Sequence, residues 1–355
     1  MFDFALFCHA TTHAFSFRKG SLRYPTPKRL FSVFVVLPLF LILTLINRIF
    51  MLMDHMLFPG FRKVQQIKAV FITGVPRSAT TYAYNLLAED RDNFTCFRMW
   101  ELLFAPSVSQ CYLLTFVLRI DRQIGRPLYR MSLWCDRIFL GQIARLHETG
   151  LSKPEEDETL LLYAFASVYL IFFFPDLPSI DQHLYFDEEV RASKRKKIMH
   201  FYYRCVQRHI YFHDPKQKKF FLSKNPAFVS KTTSLAETFE HARLIYMLRP
   251  PAQTIPSTIK LNRNIFSMIS GEPIDNSFEA KTRDTVVRWY RMAETSVSAH
   301  WQERSMTVPF ESITQEPQET LREVYGFLGI SVKEFGDSSP SFSVFAANHE
   351  EPIRI

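Results

Sequence analysis

Hydrophobic and polar positions along the chain fall into two regimes that meet near Pro59-Gly60. Before that point lies a charge-free apolar run, Leu30 to Ile46 (LFSVFVVLPLFLILTLI), between Lys28/Arg29 and Arg48. As a helix at ~1.5 Å per residue it covers roughly 26 Å, slightly less than a hydrocarbon core of ~30 Å. The run continues as IFMLMDHMLFPGF, with Asp54 and His55 interrupting and Pro38 inside the first part. This predicts a membrane anchor or interfacial segment over residues 30–60, either a kinked span or a span followed by an amphipathic helix lying among the head groups. A buried core helix is the competing reading of so short a run. Residues 1–29 are expected to be a basic tail.

Beyond Gly60 the pattern changes to short apolar runs alternating with stretches of helical period. Strands are predicted at Ala69 to Thr73 (AVFIT), Phe220 to Ser223 (FFLS), Leu244 to Leu248 (LIYML) and Met306 to Pro309, and helices over Arg126 to His147, Glu155 to Phe174 and Asp187 to Phe212. Such alternation predicts an α/β fold: a P-loop-like, mainly parallel sheet flanked by helices, over residues 61–335. A helical insertion at about 110–215 caps the carboxyl edge of the sheet, where open α/β folds bind ligands, and is the candidate acceptor pocket. Residues 336–355 are expected to be a tail.

Composition narrows the function classes. With 47% hydrophobic and 15% aromatic residues, only ten glycines and no fixed-period repeat, the body is globular. Of the +8 net charge, residues 1–68 carry +7, from nine Lys/Arg against Asp3 and Asp54; the remainder holds 34 basic and 33 acidic residues. A basic excess confined to the flanks of an apolar run predicts a membrane partner with anionic lipids, not nucleic acid. The five cysteines are scattered without metal-ligand spacing, so no metal is expected.

Three segments carry candidate chemistry. The first predicted strand runs into GVPRSATTYAYNLL, a tight turn followed by a helix start, which aims backbone N–H groups and a positive helix end at one point suited to phosphate. Against the nucleotide-triphosphate loop G-x-x-x-x-G-K-[ST], Ala79 replaces the second glycine and Thr80 the lysine. Arg77, Ser78, Thr80 and Thr81 are left to supply a guanidinium and three hydroxyls. In the second segment, FFLSKNP, Lys224 closes a strand at the same sheet edge. In the third, LIYMLRPPAQTIPSTIKL, Arg249 ends a strand and Ser257 follows eight residues later, a pair able to hold a second phosphate. Two phosphate sites imply a doubly phosphorylated nucleotide.

With these residues in view the chain resembles the superfamily of sulfotransferases that use 3′-phosphoadenosine 5′-phosphosulfate (PAPS). PRSATT resembles the 5′-phosphosulfate loop P-[KR]-S-G-T-T, and Arg249 with Ser257 the 3′-phosphate pair. SKNP is similar to the K-[DSN]-P segment of the membrane-associated and tyrosylprotein-type branches, and VPFESITQEPQETLREVYGFLGI to the closing region. GLSKPEEDETLL resembles a stretch of the branch whose loop reads PRSGTT. The resemblance covers roughly residues 69–330. It implies in-line transfer of a sulfuryl group from PAPS, without a metal, to a hydroxyl on a lipid, glycolipid, sterol or glycan. In it the loop residues Arg77, Ser78, Ala79, Thr80 and Thr81 hold the 5′-phosphate, Lys224 stabilises charge on the bridging oxygen, and Arg249 and Ser257 bind the opposite end of the nucleotide. It also carries the role of general base to Glu101; His147 and the cluster Glu155, Glu156, Asp157 are the competing bases. Ala79 departs from the family's glycine: a helical backbone there is harmless, a left-handed one strained. A P-loop kinase or NTPase and a catalytically silent nucleotide-binding membrane protein are the alternative functions.

Overall fold

The computed structural model describes residues 2–18, 21–135, 150–270 and 276–330. Its centre is a five-stranded sheet of β1 (Ala69–Thr73), β2 (Phe94–Thr95), β3 (Phe220–Lys224), β4 (Arg243–Leu248) and β5 (Ser305–Pro309), in the order β2-β3-β1-β4-β5 with every pairing parallel. All five residues of β1 are buried, because a parallel sheet at the middle of an α/β domain is covered on both faces. Alternate residues divide between the covers. Ala69 and Phe71 pack with Phe221, Leu244 and the helix Ala192–His213 through Tyr202, Cys205 and Val206. Val70 and Ile72 pack with Leu222, Ile245, the helix Thr80–Glu89 and the helix Pro317–Leu328. The four strands read from the sequence are present to within a residue. The fifth, β2, has two residues, too few to show a period.

The helices of the described residues include α1 (Phe4–Thr12), α2 (Pro27–Leu57), α3 (Thr80–Glu89), α4 (Met99–Phe104), α5 (Val108–Gln123), α6 (Pro127–Cys135), α7 (Ala192–His213), α8 (Pro251–Ile269), α9 (Asn276–Ser296) and α10 (Pro317–Leu328). The helix expected over Glu155 to Phe174 is a correction: only Thr159–Leu162 and Leu170–Phe173 are helical, and Phe165 between them has φ 52°. The stretch is held by tertiary bonds instead, with Glu158 Oε1 accepting from Val168 N (2.8 Å) and Lys231 Nζ (3.3 Å). The helix expected at Asp187 to Phe212 appears as α7, after a separate turn Phe186–Glu189. Of Arg126 to His147, the part Pro127–Cys135 is helical; His147 and the tail 336–355 lie outside the described residues.

The N-terminal segment is folded onto the body. α1 buries Leu6 and Ala10. α2 runs unbroken through Pro38, with a π-helical stretch, Ser32–Val36, one turn before the proline that has no N–H to give. One stripe of α2 faces inward: Leu37, Thr44, Asn47, Met51 and Asp54 are buried, and Phe40 stacks on Tyr163 at 5.6 Å. The buried Arg29 donates to the carbonyls of Ala14 and Phe173, and Asn47 bonds Leu103 O and the Gln110 side chain. At the far end the Asp54 carboxylate, fully buried, receives Arg208 Nε (2.9 Å) and the backbone N–H groups of Val108 and Ser109, which start α5. An Asp54→Ala chain leaves Arg208 buried without its counter-charge and α5 without its cap, and is expected to lose about 3–5 kcal/mol of unfolding free energy in chemical denaturation.

Candidate functional site

The site forms where β1, β3 and β4 end at the carboxyl edge of the sheet. β1 and β4 approach so closely there that a Cβ on Gly74 would lie 2.4 Å from Met247 O, so the turn leaving β1 must begin with glycine. The next residues take two left-handed steps, Arg77 (φ 73°) and Ala79 (φ 62°, ψ 20°), before α3 begins at Thr80. Ala79 therefore occupies a backbone region that favours glycine. An alanine there costs roughly 1–2 kcal/mol, and strain of this kind concentrates in ligand-holding loops. Between the two steps Ser78 is fully buried, with its hydroxyl close to that of Tyr290. Thr80 is buried as well.

Arg77 Nε donates to Ser257 Oγ on α8 (3.0 Å), and Arg249 Nη1 donates to Arg77 O (2.8 Å). Arg249 itself lies over the Phe310 ring at 4.0 Å and bonds Gln253. Burial, then the charge of Arg77, pulls the Arg249 pKa down from the ordinary guanidinium value. Among the described residues neither guanidinium has a carboxylate at salt-bridge distance. Two cations held together with no acid between them, beside a buried hydroxyl, fit a polyanionic ligand. Arg249 is tied to the loop through the Arg77 carbonyl, and Arg77 to α8 through Ser257, so both guanidiniums stand at the same sheet edge. Thr258 Oγ1 also donates to Pro76 O (3.3 Å), tying α8 to the loop, a support that no sequence signal announced.

Lys224 is placed by strand register. It pairs with Ile72 at the end of β1, is 1% exposed, and its ammonium donates to Thr81 Oγ1 (3.2 Å) and Glu156 Oε1 (2.7 Å). Glu156 Oε2 in turn accepts from the Tyr169 hydroxyl. The segment carrying Glu156 is pinned on both sides. Arg98 and Pro154 form an antiparallel bridge, Asn225 Oδ1 accepts from Glu158 N (3.0 Å), and Asp157 accepts from Ser223 Oγ (2.9 Å), Tyr202 and Asn225. Glu156, Asp157 and Glu158 thus have separate partners. Tyr169 was not foreseen, since an aromatic among aromatics reads as core.

Glu101 is not brought to this group. It is buried on α4, where Oε2 accepts from Arg98 N (2.7 Å) to close a capping box, and Oε1 meets His213, with His209 Nδ1 4.0 Å away. None of these contacts reaches the loop or Lys224. The sequence-derived residues Arg77, Ser78, Ala79, Thr80, Thr81, Lys224, Arg249 and Ser257 assemble at one edge, and the carboxylate among them is Glu156.

A strand, a strained turn, a helix start, a strand-end lysine and a strand-end arginine meet at one parallel-sheet edge, the place where open α/β folds bind ligands. The model of the Sulfotransferase family matches residues 69–334, and the chain belongs to that family. It is 27% identical over 208 residues to the omega-hydroxy-beta-dihydromenaquinone-9 sulfotransferase Stf3 of Mycobacterium bovis, and equally to that of Mycobacterium tuberculosis; the match takes in 58% of this chain and 52% of each relative. The chain thus spans about half the length of the curated relatives it matches. Two crystal structures share the fold: sulfotransferase STF9 of Mycobacterium avium (TM-score 0.73, 17% identity, 99% of this chain and 89% of that one) and STF1 of Mycobacterium tuberculosis H37Rv (0.66, 18%, 94% and 90%).

Two outcomes follow from the site's energetics. Ala79→Gly relieves the left-handed strain, and the variant is expected to gain about 1 kcal/mol in unfolding free energy, read from denaturant midpoints. The second concerns Asp157, whose carboxyl burial pushes up to about 6 against the hydrogen bonds it accepts. The folded state therefore binds this proton more tightly than the unfolded chain, so stability rises as pH falls from about 6 toward about 4 and declines as pH rises through about 6. In Asp157→Asn this part of the pH dependence, on the order of 3 kcal/mol, is expected to vanish when unfolding is followed across that range.

Proposed function

We propose that the chain transfers the sulfuryl group of PAPS to a hydroxyl on a membrane lipid or lipid-like acceptor, with Glu156 as general base. The observation that carries this reading is the buried Lys224 ammonium, which donates at once to Thr81 of the phosphate loop and to Glu156. In-line transfer needs charge neutralised on the leaving side and a proton accepted on the attacking side. On this reading Arg77 and the hydroxyls of Ser78, Thr80 and Thr81, with the backbone at Ala79, hold the 5′-phosphate, and Arg249 and Ser257 hold the 3′-phosphate. The acceptor oxygen attacks sulfur, the bond between sulfur and the 5′-phosphate oxygen breaks, and adenosine 3′,5′-bisphosphate leaves as Lys224 meets the charge on that oxygen. The acceptor proton passes to Glu156 as the new bond forms. No metal takes part in any of these steps.

A lipid acceptor is supported by the name of the Stf3 relatives, which act on a hydroxylated menaquinone derivative, and by the apolar N-terminal helix. The test is transfer of labelled sulfate from PAPS to a lipid extract, alongside calorimetry with adenosine 3′,5′-bisphosphate. Glu156→Gln is expected to bind the bisphosphate as the parent does and to lose about 10²–10⁴ in kcat; Arg249→Ala is expected to lose the binding itself. A parent chain with no affinity for the bisphosphate overturns the reading. Parent-like turnover by Glu156→Gln, with loss in Glu101→Gln, returns the base to Glu101.

A further inference from the structure

The apolar helix α2 is long enough to cross a bilayer, yet one side of it is occupied along its length. Body contacts run from Arg29, bonded to Phe173 O, through Asn47 and Arg48, bonded to Leu103 O and Tyr163 O, to Asp54, paired with Arg208. These attachments extend over roughly 37 Å of helix axis at ~1.5 Å per residue. A helix laid against a globular domain for that distance meets lipid on its other side alone.

That other side is a second stripe, interleaved with the buried one: Leu39, Ile42, Ile46, Ile49, Met53 and Met56 are exposed, Met56 to 85%. The apolar surface does not end with α2. α5 starts on the Asp54 carboxylate, so it is fixed against the end of α2, and it exposes Phe116, Ile120 and Ile124. It then turns back at Gly125 and Arg126, both left-handed, into α6, whose first N–H groups (Leu128, Tyr129) are taken by the buried Asp121. α6 exposes Met131 and Trp134.

Charge chooses the occupant. Asp54 and Asp121 are the acids of these three helices, and both are buried, at 0% and 2% exposure. The exposed charges are basic: Lys28 before the apolar stripe, Arg62 and Lys63 after it, and Arg119, Arg122, Arg126 and Arg130 on the hairpin. An apolar surface rimmed by cations and bare of exposed acid is complementary to an anionic lipid surface.

We infer that α2, α5 and α6 form one membrane-docking face that lies in the plane of an anionic bilayer, so the chain is held on one leaflet and does not span. This specifies the membrane partner of the function proposed above but depends on neither the donor nor the base. The test uses the full chain synthesised with sealed vesicles of phosphatidylcholine with or without phosphatidylglycerol. The parent is expected to float with the phosphatidylglycerol vesicles and to release as salt is raised. Ile42→Ser/Ile49→Ser/Phe116→Ser, changed at side chains that touch no core cluster, is expected to lose at least tenfold in partition with unchanged affinity for adenosine 3′,5′-bisphosphate. Arg119→Glu/Arg122→Glu is expected to lose the preference for phosphatidylglycerol. In a Cys8→Ser background, Lys28→Cys and Lys63→Cys are both expected to react with a membrane-impermeant maleimide from the same side. Reaction from opposite sides shows a span and overturns the inference. So does parent-like flotation of the triple variant, or a parent dimer in sedimentation that the triple variant abolishes while flotation is unchanged, which assigns the face to a second copy. Absence of bisphosphate binding in the parent would sink the proposed function and leave these outcomes standing.

Discussion

The candidate site of this chain is built around a lysine held out of water at the end of a strand. Lys224 is almost wholly buried, and burying an ammonium is costly unless partners replace its hydration. Two partners do so: a hydroxyl from the first turn of α3 and a carboxylate from the segment after Pro154. The contact therefore joins three parts of the chain far apart in sequence. It also explains the density of bonds around Glu156. Asp157, Glu158, Ser223 and Asn225 bind one another so that strand end and acidic segment keep a fixed relation, and the ion pair needs no reorganisation to form.

The loop between β1 and α3 shows a comparable trade. Gly74 is dictated by the nearness of Met247 O, but Arg77 and Ala79 accept left-handed backbones without being glycine. A loop ordered in such a conformation draws its stability from what it is tied to, here Ser257, Thr258 and Arg249 on the neighbouring strand end and helix. The conformation that strains Ala79 also turns Ser78 inward, where its hydroxyl is buried beside Tyr290.

How much of this was legible in the chain differs by element. Strands β1, β3, β4 and β5 could be read because each is a short apolar run between breakers, and the loop residues because their order and spacing are specific. The stretch Glu155 to Phe174 misled for a physical reason: nearly every side chain in it is apolar or held by a tertiary bond, so composition suggested a helix where Phe165 and the Glu158 bonds impose turns. Glu156 was visible only as one of three neighbouring acids, because what distinguishes it is contact with Lys224, a relation set by strand register. Glu101, chosen through resemblance, has its carboxylate engaged by Arg98 N and His213. The length and apolarity of α2 were evident, whereas the stripe it buries required Arg208, Tyr163 and Leu103 to be placed in space.

The attachment of α2 changes what it means to remove it. An apolar leader is ordinarily the part cut away to obtain a water-soluble catalytic piece. Here the first sixty residues supply the counter-charge of a buried arginine, the cap of α5 and the ring stacked on Tyr163. Trimming them takes Met51 from the core cluster and Asp54 from the start of the hairpin. The intact chain, and not a shorter one, is the unit in which these contacts are all made.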